Sequence, residues 1–187
     1  MTAVNISMNT TSHPSLPVIT CDQVLESPAH KTLLEELSQQ NLDMYQAYPN
    51  RIFTRPHYQT WLQGYFQQLI DWTVIKHSLS GEIQQVFYSV ELPGCNFMYH
   101  RSHPNIGAVI HWSPEDFPGP GIRMLEQGLD DPDDYLWGDK GRSGPVFPFL
   151  ANQAIVVVNQ EPRHHWGFQS PIGESRAKRS VWIYLGK

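Results

Sequence analysis

Four short runs, VFYSVEL, IGAVIHW, AIVVVN and SVWIYL, shape the second half of the chain. Each is built of β-branched and aromatic residues and bounded by Pro, Gly, Asn or Asp, so each reads as a strand. Strands in series, with helices only in front of them, bury their faces best as an antiparallel barrel or sandwich of jelly-roll type. The helices precede them. SPAHKTLLEEL opens with Ser27 as candidate N-cap and Pro28 at the first helical position, and Leu33, Leu34 and Leu37 share a face. From His57 to about His77, Tyr58, Trp61, Leu62, Tyr65, Phe66, Leu69 and Ile70 recur at three- and four-residue spacing, stopping before Ser80 and Gly81. That stripe is expected to lie against the sheet, giving a mainly β fold with N-terminal helices packed on one face of a barrel.

A chain of 187 residues with 40% hydrophobic content can bury one good core. Residues 1–16 read as a flexible tail and 17–187 as a single domain, with LPVITC a short extended piece at its start. The polar stretch DDPDDYLWGDKGRSGP, 130–145, is too long for a hairpin turn and reads as a surface loop or lid. A net charge of -5, with no basic run longer than RAKR, argues against nucleic acid as a partner. Cys21 and Cys95 form no CxxC pair and suit a reducing compartment. No stretch approaches the roughly 18 apolar residues of a membrane span, and the polar start lacks the features of a secretory signal. The expectation is a cytoplasmic protein without a membrane partner.

Histidine is where chemistry concentrates. MYHRSHPNIGAVIHWS carries His100, His103 and His111, and PRHHWGF, with His164 and His165, lies about sixty residues downstream. In a barrel, ligands distant in sequence converge at the ends of different strands. His100 sits where one strand gives way to RSHPN, and His165 follows AIVVVNQ, so both are candidate metal ligands. His111, mid-strand between Ile110 and Trp112, is expected to be packed or surface-facing. His13, His30, His57 and His77 are read as structural.

From Val86 to Leu185 the order of elements resembles the iron(II)- and 2-oxoglutarate-dependent oxygenases, in particular their short prolyl-hydroxylase-like branch. The matching residues are His100-Arg101-Ser102, then PNIGAVIHWS, the turn FPGPG (Phe117 to Gly121), AIVVVNQEPRHHWGF with His165, and RAKRSVWIYL. The resemblance implies a double-stranded β-helix, Fe(II) and 2-oxoglutarate as cofactors, and oxidation (hydroxylation) of a small-molecule or peptide-like metabolite. It implies that His100 and His165 are the catalytic metal ligands, with His165 favoured over His164. A cation before the last strand would pair with the distal carboxylate of the keto acid. Lys178 and Ser180 fall on one face in the Arg-x-Ser register, Arg176 shares that parity, and Arg179 points the other way unless a bulge shifts the strand.

The chain departs from the family's His-x-Asp motif, because Ser102 stands where the aspartate belongs. Two imidazoles and one carboxylate normally hold such an iron. Here the metal is held by two histidines, or by His103 as a third ligand, or with Glu115 or Asp116 reaching across; a further alternative is an anion in the vacant place, as in halogenating relatives. Two rival readings stay open: a three-histidine cupin-type metalloenzyme on His100, His103 and His165, and a non-catalytic oxygenase-like binding protein.

Overall fold

A computed structural model describes residues 9–39, 41–93, 98–125, 135–137, 143–161, 163–168 and 177–187. The chain begins with strands β1 (Asn9–Ser12) and β2 (Val18–Asp22), helix α1 (Ser27–Gln39), strands β3 (Met44–Tyr48) and β4 (Arg51–Thr54), and, after one 3-10 turn, helix α2 (Gln59–His77). The β-rich part follows as β5 (Ile83–Glu91), β6 (Met98–His100), β7 (Ile106–Ser113), β8 (Phe117–Met124), β9 (Tyr135–Trp137), β10 (Val146–Phe149), β11 (Gln153–Val158), β12 (Trp166–Phe168) and β13 (Lys178–Gly186).

Two antiparallel sheets result. The larger runs β1-β2-β11-β7-β13-β5-β4-β3 and the smaller β10-β8-β12-β6-β9. This is a double-stranded β-helix, the jelly-roll barrel expected from the strand runs, with both helices on one outer face.

Strand alternation sorts the side chains of the larger sheet into two cores. Val86, Tyr88, Ile110, Trp112, Val156, Val181 and Ile183 point outward and pack with Leu33, Leu62, Phe66, Leu69 and Ile70 of the helices. Phe53, Phe87, Val109, Ile155 and Trp182 point inward, toward Ile122, Met124, Phe149 and Trp166. Burial on both faces is why these strands read as unbroken apolar runs. Trp61 Nε1 and Tyr65 Oη donate to Glu36 Oε2 at 3.0 and 2.8 Å, which ties α2 to α1.

The N-terminal boundary differs from the expectation. Residues 9–12, read as tail, form β1 and pair with β2, and Leu16 is buried at 7% exposure. Pairing across the backbone holds β1, although its side chains are all exposed. Of the lid stretch, Tyr135–Trp137 forms β9 against β6, while 130–134 and 138–142 lie outside the described residues, as does Cys95. Among the described residues no helix is long and apolar enough to cross a membrane.

Candidate functional site

His100 ends β6, and its register partner is Trp166, the first residue of β12. The two rings lie 4.4 Å apart between centroids. His165 precedes Trp166 and is 1% exposed. Its carbonyl accepts the Leu125 N–H at 2.9 Å, and the neighbouring His164 donates from Nδ1 to the Leu125 carbonyl at 3.1 Å. Leu125 thus clamps the pair at the end of β8, with His165 buried and His164 spent on the backbone.

The pKa of His100 is pushed down to about 4, by burial first, then by the charges of Arg51 and His165. His165 is the sequence neighbour of Trp166, the register partner of His100, and His100 is held neutral at physiological pH. A neutral imidazole is the form that binds a metal.

The larger sheet carries a row of three charges, of which Arg51 acts on His100. Lys178 on β13 is the register partner of Glu91 on β5, and Glu91 is the register partner of Arg51 on β4. All three share the inward parity of Trp182, Phe87 and Phe53. Lys178 Nζ lies 3.1 Å from Glu91 Oε2, and Arg51 Nη2 lies 3.6 Å from Glu91 Oε1. Lys178 and Glu91 are 6% and 5% exposed, so this ion pair is shut away from water. Lys178 Nζ also donates to His111 Nε2 at 3.0 Å and stands 3.8 Å above the Phe149 ring centroid. Burial, then the Lys178 charge, holds His111 well below the ordinary imidazole value.

The next row inward is polar but uncharged. Ser89 Oγ and Ser180 Oγ lie 3.0 Å apart, and Trp182 Nε1 donates to both, at 3.2 and 3.0 Å. Beyond them the lining turns aromatic, with Trp182 stacked on Trp166 at 6.0 Å and on Tyr184 at 6.4 Å.

The other sequence candidates are placed as follows. His103 is exposed, and its Nδ1 accepts the Asn105 N–H at 3.3 Å on the turn before β7, so the structure does not bring it to His100 and His165. Ser102 is buried, and its hydroxyl accepts the Trp166 Nε1–H at 3.1 Å, while its carbonyl accepts from Arg163 Nη1 at 3.2 Å. Asp116 Oδ1 accepts the Ala151 N–H at 2.7 Å, a turn contact. Glu115 and Arg179 influence Tyr88, whose side chain belongs to the helix-side core. Arg179 is exposed, as strand parity requires. Arg176 lies outside the described residues.

A neutral imidazole suits a divalent transition metal such as Fe(II), and His100 is held in that form. Among the described residues, no group of three or more His, Cys, Asp or Glu comes together as a metal site. The keto-acid part fits less simply. Lys178, expected to await a ligand carboxylate, already holds one from Glu91. Sequence reasoning missed Glu91 and Arg51. Inward parity on β5 was readable from VFYSVEL, but their place beside Lys178 depends on a register that only the fold supplies.

No family model matches the chain, and no curated protein matches it. Solved structures do. HygX from Streptomyces hygroscopicus, with nickel, 2-oxoglutarate and hygromycin B bound, is similar at a TM-score of 0.65 and 10% identity, covering 91% of this chain and 83% of that one. The epimerase SnoN, in complex with Fe3+, alpha ketoglutarate and nogalamycin RO, aligns at 0.60 and 10% identity, over 91% and 79%. A prolyl hydroxylase from Trichoplax adhaerens, in complex with a hypoxia inducible factor peptide fragment, aligns at 0.58 and 8% identity, over 92% and 84%. At such identities the likeness is one of fold.

Proposed function

We propose that the chain is an Fe(II)-dependent oxygenase that uses a 2-oxo acid of the 2-oxoglutarate kind and oxidises a small-molecule or peptide-like substrate. The observation that carries this reading is that His100, held neutral by burial, is the register partner of Trp166, whose sequence neighbour His165 is 1% exposed. It is supported by the ligands bound to similar folds: iron or nickel with a 2-oxo acid, beside nogalamycin RO in one case and hygromycin B in the other.

Bound there, the metal and its 2-oxo acid would supply an oxidant able to attack an unactivated C–H bond. The chain's own residues prepare the place. His100 and His165 would hold the metal. The Leu125 clamp fixes the His165 backbone, and the Trp166 ring limits the orientation of His100. Trp166, Trp182 and Tyr184 wall the interior with rings, which keeps water out and strengthens every polar contact inside. Arg51 lies near enough to His100 to oppose its protonation.

Metal titration tests the reading. The parent is expected to bind one Fe(II), or Ni(II) in its place, and His100→Ala and His165→Ala to lose roughly a hundredfold or more in affinity while melting as folded proteins. Parent-like metal binding by both variants would sink the assignment. A non-catalytic binding protein is the second reading, favoured by the Glu91 carboxylate on Lys178; a parent that binds neither metal nor any 2-oxo acid would turn the choice to it.

A further inference from the structure

Glu91 occupies the position beside Lys178 that a ligand's second carboxylate would need. Both its oxygens are engaged: Oε2 with Lys178 Nζ at 3.1 Å, and Oε1 with Arg51 Nη2 at 3.6 Å and the Ser89 hydroxyl at 3.4 Å. The ammonium is equally surrounded, with the carboxylate on one side, His111 Nε2 on another and the Phe149 ring beneath it. A dicarboxylate reaching this ammonium would have to push aside a buried anion and leave it short of a partner, which is costly. A 2-oxo acid whose far end is uncharged asks for no such exchange. Its tail would meet the serine row and the rings of Phe149 and Trp182 without displacing a charge.

We infer that Glu91 is a built-in occupant of the Lys178 carboxylate socket and makes the site select a 2-oxo monocarboxylate over a dicarboxylate such as 2-oxoglutarate. This rests on the reading that a 2-oxo acid binds at the His100 and His165 metal.

The test uses 2-oxovalerate and 2-oxoglutarate, equal in chain length and differing only in the distal carboxylate. Each is titrated calorimetrically into Ni(II)-loaded parent, Glu91→Gln and Glu91→Ala. The parent is expected to bind 2-oxovalerate about tenfold or more tightly than 2-oxoglutarate, and both variants to reverse that order because the ammonium then lacks the negative charge of Glu91. A parent that prefers 2-oxoglutarate overturns the inference on its own, even if neither variant folds. So do folded variants that keep the parent's preference. Nickel titration without any 2-oxo acid, on the same proteins, separates the two levels: a parent that takes no metal ends the oxygenase reading. The inference is then judged by thermal melts with glutarate, which should raise the melting temperature of Glu91→Gln and not that of the parent; the absence of that difference overturns it.

Discussion

The indole of Trp166 donates to the Ser102 hydroxyl across 3.1 Å, joining the turn after β6 to the first residue of β12. The serine at the expected carboxylate position is therefore already bonded. Ser102→Ala leaves a buried indole N–H without this acceptor and is expected to cost about 1–3 kcal/mol in urea unfolding. Loss of less than a few tenths would mean that another group takes over the N–H.

Ser102→Asp asks a different question of the same position. It keeps an acceptor for Trp166 and adds a carboxylate two residues after His100. Fe(II) affinity, measured by competition with a chelating dye, is expected to rise roughly tenfold or more as a two-imidazole site gains an anionic ligand. Unchanged affinity would place the side chain of residue 102 out of the metal's reach.

His103→Ala is expected to leave metal affinity at the parent's value, since the imidazole serves an exposed turn through the Asn105 N–H. A loss of about tenfold in the same titration would restore the three-histidine reading.

Removing Lys178 takes from the buried Glu91 carboxylate its nearest cation. Lys178→Met is expected to destabilise the fold by about 3–5 kcal/mol, and Lys178→Met combined with Glu91→Gln to recover most of that, because the carboxylate charge that had lost its ammonium is removed as well. Chemical denaturation of the two single variants and the double variant measures the coupling; additive losses would show that the pair is not the source.

Acid should weaken the protein through its buried histidines. His111 is held neutral in the fold by burial and by Lys178, whereas in the unfolded chain it titrates near 6.5. As the pH falls below 6.5 the unfolded state takes up a proton that the folded state refuses, so stability is complete above that pH and declines beneath it. His100, with its value pushed down to about 4, acts with the same sign between 6.5 and 4. Urea midpoints from pH 7.5 to 4.5 should fall, and fall less steeply for His111→Gln, which offers Lys178 an amide oxygen instead. An identical slope in that variant would assign the acid sensitivity to other groups.

The long strands were legible because burial on both faces leaves an apolar run that nothing else resembles, as in Ile106–Ser113, where seven of eight residues are buried. Asn9–Ser12 and Arg51–Thr54 were not, since four polar residues, or a strand that opens on arginine, show no period of two. Three-residue strands such as Trp166–Phe168 are too short to show one at all. His100 and His165 were candidates because histidines at strand ends stand out against their surroundings. Glu91 lay within a legible strand run, but its place beside Lys178 depends on the register of β5 with β13, which no single strand carries. Only the pairing of Lys178 with Glu91 reveals that the charge was already answered from within the chain.

The order of strands in the larger sheet has a consequence for how the molecule is made. β13 is last along the chain and central in the sheet, hydrogen-bonded to β7 on one side and β5 on the other. Until residues 178–186 have been synthesised and inserted, β1-β2-β11-β7 and β5-β4-β3 are separate ribbons with open edges, and such edges invite foreign pairing. Both strand pairings of β13 span a long stretch of sequence, a topology that folds slowly. One strand, bringing Lys178 to Glu91, thus converts the two ribbons into one sheet.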